Sequence, residues 1–253
     1  MAARIFLAGA SGVIGRSLAR QLRDAGHLVV GATRTTQGRE ALQALGIEAV
    51  MVDVFDAPTL TRAVSDVAPE VVIHQLTSLA GGIDPASATE TIARNARIRR
   101  VGTANLVAAA RVAGARRLIA QSIAWAYAPK PPPYRESDPL DTEAGGLRAL
   151  SVREGVIPLE DAVLGQRDMD GIVLRYGQLY GPGAWTETPK GSSPVHVDAA
   201  AHAALLAIHR GAAGPYNIAD PGGEVSIDKA EAELGWRPDV RLAPGERRES
   251  LSS

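Results

Sequence analysis

The apolar positions fall into short unbroken runs separated by stretches of helical period. Arg4 to Ala8 is one such run; Gly9 follows it, and Val13, Ile14, Leu18 and Leu22 then recur at helical spacing until Ala25-Gly26. This predicts strand, turn, helix and stop, in that order. His27–Ala32 (HLVVGA), Ala49–Val54 (AVMVDV) and Val71–Leu76 (VVIHQL) predict a second, third and fourth strand, and Arg117–Gln121 and Gly171–Tyr176 a fifth and sixth. Thr91–Ala113 and Val197–His209 read as helices. Strands without polar alternation are buried on both faces, and strands that alternate with helices build a parallel sheet covered on both sides. The expected fold class is α/β, a doubly wound parallel sheet.

Two stretches break this rhythm. Pro129 to Pro133, within APKPPPYRESDPL, and Gly181 to Pro194 are too rich in helix and strand breakers for regular structure. Loops at the carboxyl ends of parallel strands form the ligand crevice of such sheets, so both are candidates for a substrate wall. The final GERRESLSS reads as a frayed polar tail.

Composition narrows the function classes. Among 253 residues, 27 Lys and Arg face 28 Asp and Glu, a formal net charge of -1 that argues against a surface built for nucleic acid or acidic membranes. The absence of cysteine excludes disulfides, thiolate nucleophiles and cysteine zinc sites, and no metal site is expected. No apolar run approaches the roughly 18 residues of a membrane span. The start, MAARIFLAGASG, breaks its apolar run at Gly9 and continues as a helix pattern, so a cytoplasmic protein is expected.

Chemistry enters at GASGVIG. Gly9, Gly12 and Gly15 stand at three-residue intervals between a strand and a helix. There a glycine turns tightly, lets backbone N–H groups approach a pyrophosphate, or lets helix pack on strand, and the helix N-terminus favours negative charge. Set in a complete strand–helix–strand unit, the turn predicts a dinucleotide site. An NAD site usually places a carboxylate after the second strand; GATRT puts Thr33 and Arg34 there instead. Arg34 would pair with a 2′-phosphate, so NADP(H) is favoured over NAD(H), the alternative being a solvated arginine on a loop. Asp53 either accepts from an adenine amino group or opens a helix.

GASGVIG with Asp53, VVIHQLT, GTANLVAAA, LIAQS, LRYGQLYGPG, SPVHVDAAAHAALLAI and GPYNIAD together resemble the extended short-chain dehydrogenase/reductase superfamily, in its NAD-dependent epimerase/dehydratase branch. The resemblance spans nearly the whole chain. It implies a Rossmann domain, mainly residues 1–170, then residues 171–245 in which the last Rossmann strands interleave with a small C-terminal substrate-binding part, and a flexible tail at 246–253. It also implies a nicotinamide near the ends of the fourth, fifth and sixth strands. The cofactor contacts it implies are Gly9, Ser11, Gly12, Val13, Ile14, Gly15, Thr33, Arg34, Asp53, Val54, Leu76, Thr77, Gln178 and Leu179.

The departures from the family pattern are informative. The family's Tyr-x-x-x-Lys pair, in which lysine lowers the phenol pKa for proton exchange with a hydroxyl or carbonyl, falls on Val152 and Val156, counted back from Glu160. Pro158 is placed as the first residue of a helix PLEDAVLG, which casts the preceding residues as non-helical. The family's hydroxyl residue falls on Ile123, leaving Ser122 as the nearest hydroxyl. Replacement acid/base groups are sought at Ser122 and Tyr127, then at Glu136 and Asp138, Arg153 and Glu154, and His196. Tyr127 is alternatively a cleft wall, His196 a loop anchor, and Glu136 and Asp138 plain solvated groups. Trp125 and Trp185, with Glu136 and His196, are the expected substrate cleft.

Gly183 to Pro194 is short beside the family's substrate lid, which favours a small or flat metabolite over a sugar nucleotide. Three functions remain open on this reading. One is a nicotinamide-dependent oxidoreductase or epimerase with a replaced proton donor. The second is a non-redox isomerase, cyclase or lyase. The third is a non-catalytic dinucleotide sensor. The expected partner is a small-molecule substrate, with homodimer formation left open.

Overall fold

The computed structural model describes residues 1–79 and 84–243. Its centre is a seven-stranded parallel sheet. The first half comprises β1 (Arg4–Ala8), α1 (Val13–Asp24), β2 (Leu28–Thr33), α2 (Thr36–Ala44), β3 (Glu48–Met51), α3 (Ala57–Val67) and β4 (Val71–His74). A helix follows, α4 (Ala88–Arg97), running through a π turn at Ile98–Gly102 into α5 (Thr103–Val112). Then come β5 (Arg117–Ile123), α6 (Gly146–Ser151), α7 (Ile157–Leu164), β6 (Asp170–Tyr176), β7 (Gln178–Tyr180), β8 (Pro194–His196), α8 (Val197–Leu206) and β9 (Gly214–Ile218). The sheet order is β3-β2-β1-β4-β5-β6-β9, and β7 pairs with β8 apart from it.

Strand alternation divides the core. Ile5, Leu7, Ile73, Ile119 and Ile172 point to one face, under α1 and α8, whereas Phe6, Val72, Leu118 and Val173 point to the other, under α3, α5 and α7. Each such fully buried side chain contributes about 1.5–3 kcal/mol relative to exposure. The strand order reverses between β1 and β4, which opens a crevice at the carboxyl ends of these strands.

The doubly wound sheet and the first six strands stand as expected, with end shifts of a few residues, and three readings need correction. β9 begins Gly214-Pro215, a start that concealed it as a strand; it docks parallel to β6 at the sheet edge. The residues before Pro158 are helical: α6 continues through a π turn at Val152–Val156 into α7, so Pro158 lies inside one continuous helix. A π turn widens the backbone spiral, which accommodates the proline ring and its missing N–H without ending the helix. The expected third and fourth strands end early, before Val54 and Leu76, because those residues turn into the crevice. The polar tail lies outside the described residues.

Candidate active site

The first crossover is a tight glycine turn. Gly9 has φ +82°, and a Cβ there would stand 2.6 Å from the Gln75 carbonyl oxygen, so only glycine fits. A Cβ on Gly15 would stand 2.1 Å from the Gly9 oxygen; this position serves the packing of α1 on β1 and does not face the crevice. A Cβ on Gly12 meets only the Gly9 oxygen, at 3.3 Å. Among the described residues no side chain caps α1, and an uncapped helix N-terminus favours an anion. Ser11 and Thr33 hold the turn to β2 through their hydroxyls, 3.2 Å apart.

From this turn a cleft of about 690 Å³ runs past the ends of β4, β5 and β6. Ser11, Gly12, Val13, Ile14, Thr33, Arg34, Val54, Leu76, Thr77, Gln178 and Leu179 line it with Gly9. Ser122, Trp125 and Trp185 line it too, and Gly183–Thr186, Lys190 and Gly191 form one wall, so the second irregular stretch borders the cleft. Arg34, Arg99 and Lys190 are the cations of this wall; among the described lining residues there is no carboxylate and no imidazole. Gln75 turns Nε2 toward the Tyr176 hydroxyl at 3.3 Å and leaves Oε1 buried without a partner among the described residues. Burial pushes the Tyr176 phenol well above its ordinary range.

Behind Ser122 the two valines on which the resemblance sets the proton-transfer pair are buried. Val152 and Val156 are 1% and 0% exposed and pack with Ile123, Ala126 and Ala144. Beside them lies a buried ion pair. Arg175 donates to both Glu160 oxygens, Nε to Oε1 at 3.1 Å and Nη2 to Oε2 at 2.7 Å, and Ser122 Oγ donates to Glu160 Oε1 at 2.7 Å. The carboxylate raises the Arg175 guanidinium above its usual range by hydrogen bonding and charge, outweighing desolvation.

Several candidates lie elsewhere. The Tyr127 hydroxyl does not reach the cleft: it donates to Asn217 Oδ1 at 2.6 Å and accepts from Arg175 Nη1 at 2.8 Å. Desolvation pushes this phenol up to about 12, although the neighbouring Arg175 opposes the shift. Glu136 Oε1 accepts from Asn217 N at 2.8 Å, and Glu136 is not on the cleft wall. His196 Nδ1 caps α8 by accepting from Asp198 N at 3.1 Å, and its ring meets Tyr180 edge-on. Asp53 is exposed and accepts from Phe55 N at 3.0 Å, while Asp56, three residues on, caps α3. Asp138 pairs with Lys130, Glu154 with Arg100, and Arg153 donates to the Ala144 carbonyl. The first irregular stretch borders a separate small cavity that includes Pro129, Tyr134 and Tyr127. These side chains were drawn into packing and loop anchoring because their partners come from distant segments.

Residues 5–207 match the NAD dependent epimerase/dehydratase family. The chain belongs to this family. A 3-diazoavenalumate denitrifying reductase of a Streptomyces species is 40% identical over 238 residues, covering 86% of this chain and 76% of that protein. A UDP-glucose 4-epimerase of Mycolicibacterium smegmatis is 29% identical over 184 residues, 71% of this chain and 57% of the relative. Among solved structures, a UDP-glucose 4-epimerase of Thermotoga maritima with UDP-glucose superposes over 94% of each chain with a TM-score of 0.74 at 20% identity. The Thermus thermophilus UDP-glucose 4-epimerase complex with NAD gives 0.74 over 96% of each chain at 22% identity, a likeness of fold.

Within this family member the sequence reading passed over Gln75, Arg99, Gln121 and Tyr176. A signal existed for Arg99: Thr91, Asn95 and Arg99 follow one another at four-residue spacing on the buried side of the helix. An arginine on such a stripe is either paired or functional. Arg99 is 4% exposed, and its guanidinium makes one hydrogen bond among the described residues, Nη1 to Ser151 Oγ at 3.5 Å. Burial pushes it down to about 10, against the pull of Glu160. His74, also buried, falls to about 4, first by desolvation and then by the Arg99 charge. Its Nδ1 accepts from Leu76 N, so Nε2 carries the proton and donates to Thr103 Oγ1.

Proposed function

We propose that this protein is an NADP(H)-dependent reductase that delivers hydride to a small planar electrophile whose product needs no proton from the enzyme. The observation that carries this reading is the cleft wall itself. It combines a glycine cradle for a dinucleotide with described lining residues that include no carboxylate or imidazole and, as phenol, Tyr176 alone, while Val152 and Val156, at the positions the resemblance gives to the proton-transfer pair, are buried behind it. A ketone reductase must protonate an alkoxide, and an epimerase must take and return a proton. A non-redox isomerase or lyase has the same need, so the cleft suits it less.

The residues present fit the cofactor. Gly9, Gly12 and the uncapped α1 N-terminus would take the pyrophosphate, Arg34 the 2′-phosphate, and the unpartnered Gln75 Oε1 is an acceptor for a buried N–H donor. When bound, the reduced dinucleotide supplies the hydride. Ser122 Oγ, its proton engaged by Glu160, presents lone pairs to the cleft, and Trp125 and Trp185 offer faces to a flat substrate.

The relative named as a denitrifying reductase of a diazo compound supplies a reaction that meets these terms. For an aryl diazonium, the hydride pair becomes the new C–H bond, the C–N bond breaks with its pair going to nitrogen, and N2 leaves. No proton is exchanged. The test is NADPH oxidation with an aryl diazonium carboxylate, compared with ketones, aldehydes and UDP-sugars. Oxidation of NADPH matched by N2 release is expected; turnover of ketones alone, or NADPH binding without turnover of any compound, would overturn the reading.

A further inference from the structure

Arg99 is a buried cation without an ion pair among the described residues. Only the Glu160 carboxylate acts on it, from beyond contact, its single hydrogen bond is long, and it lines the cleft. The π turn at Ile98–Gly102 sets it there, and Gly155 makes room: a Cβ on Gly155 would stand 3.3 Å from Arg99 Cδ. Its guanidinium thus occupies the neighbourhood of the two valines, bringing positive charge where the chain has none of its own at 152 or 156. A guanidinium buried without an ion-pair partner in contact carries a desolvation cost that a stabilising role would not explain. An arriving anion would compensate it.

We propose that Arg99 is the receptor for an oxyanion of the substrate, so that the cleft takes anionic aromatic compounds, carboxylates or phenolates, and holds them against the hydride end. This deepens the reductase reading: an oxyanion on Arg99 also offsets the positive charge of a diazonium group, which the cations of this cleft would otherwise repel.

The test is binding, independent of turnover. Cinnamate, 4-nitrophenolate at mildly alkaline pH and neutral cinnamamide are titrated calorimetrically into the protein, with and without NADP+. The wild type should bind one or both anions at least about tenfold more tightly than the amide, the stronger anion identifying the oxygen recognised. Arg99→Met should erase the preference, leave the affinity for NADPH unchanged, and raise Tm by about 2–4 °C, because an uncompensated charge is removed. Should that variant not fold, Arg99→Lys carries the test: the point charge keeps the preference but weakens it several-fold. Equal binding of anions and amide by the wild type, or a preference that survives Arg99→Met unchanged or Arg99→Lys undiminished, would overturn the proposal. Anion selectivity without N2 release would overturn the reductase reading and leave Arg99 as the receptor; N2 release without anion selectivity would do the reverse.

Discussion

The first crossover, from β1 through α1 to β2, lines the cleft, and the helix from α6 to α7 stands behind Ser122 of the same cleft; the two regions have been treated in opposite ways. In the crossover the chain keeps donors free: glycines stand where side chains would intrude, and the helix start has no side-chain cap. In the second region the polar groups are closed on one another. Arg175, Glu160, Ser122, Tyr127 and Asn217 form a continuous buried network, and two valines fill the places next to it. An open donor set recognises a ligand, whereas a satisfied network rigidifies a wall. The contrast is between open donors at one end of the cleft and a closed polar network behind the other.

Gly12→Val probes the open region most severely. Its Cβ would stand 3.3 Å from the Gly9 oxygen, which a shift of a few tenths of an ångström relieves, and its methyl groups would stand where the proposed pyrophosphate binds. Fluorescence titration should show NADPH affinity falling by about 10²-fold or more with Tm nearly unchanged. Retained affinity would reduce the cradle to a plain turn. Glu160→Gln probes the closed region. Leaving Arg175 buried without its counter-charge should cost about 3–5 kcal/mol in urea unfolding. A loss under 1 kcal/mol would mean that the network is not the rigid wall described.

Smaller effects sharpen the contrast. Arg34→Ala should weaken NADPH by roughly 1–3 kcal/mol and NADH little, and equal affinity of the wild type for both dinucleotides would refute the 2′-phosphate assignment. Tyr127→Phe should leave turnover within about threefold, far from the 10²-fold or greater loss of a positioned acid, because the hydroxyl faces Asn217 and Arg175 and not the cleft. A large loss of turnover with unchanged Tm would restore it as the proton donor.

The two regions also differed in what could be read from sequence. The turn announces itself because its requirements are local: a buried strand, glycines at fixed spacing and an amphipathic helix lie within one short segment. The second region does not, because each partner comes from afar; Ser122 and Glu160 are 38 residues apart, and Tyr127 and Asn217 are 90 apart. Tyr127 therefore read as a cleft hydroxyl, and Glu136 and His196 as wall, when tertiary partners had claimed them. Pro158 misled for another reason, since a proline rule assumes α geometry and the chain inserts a π turn ahead of it. Arg99 was legible only as a charge on an apolar stripe, a pattern whose meaning depends on whether a partner exists.

The most direct test of the account follows the hydride. NADPH carrying deuterium at C4 of the nicotinamide is incubated with the protein and an aryl diazonium carboxylate, and the product is analysed by mass spectrometry and NMR. The account predicts one deuterium at the ring carbon that bore nitrogen, N2 released in equal amount, and no rate change on replacing water by D2O beyond a general solvent effect. Ring hydrogen drawn from solvent in place of the cofactor, or a rate that depends on a titrating enzyme group near neutral pH, would contradict it.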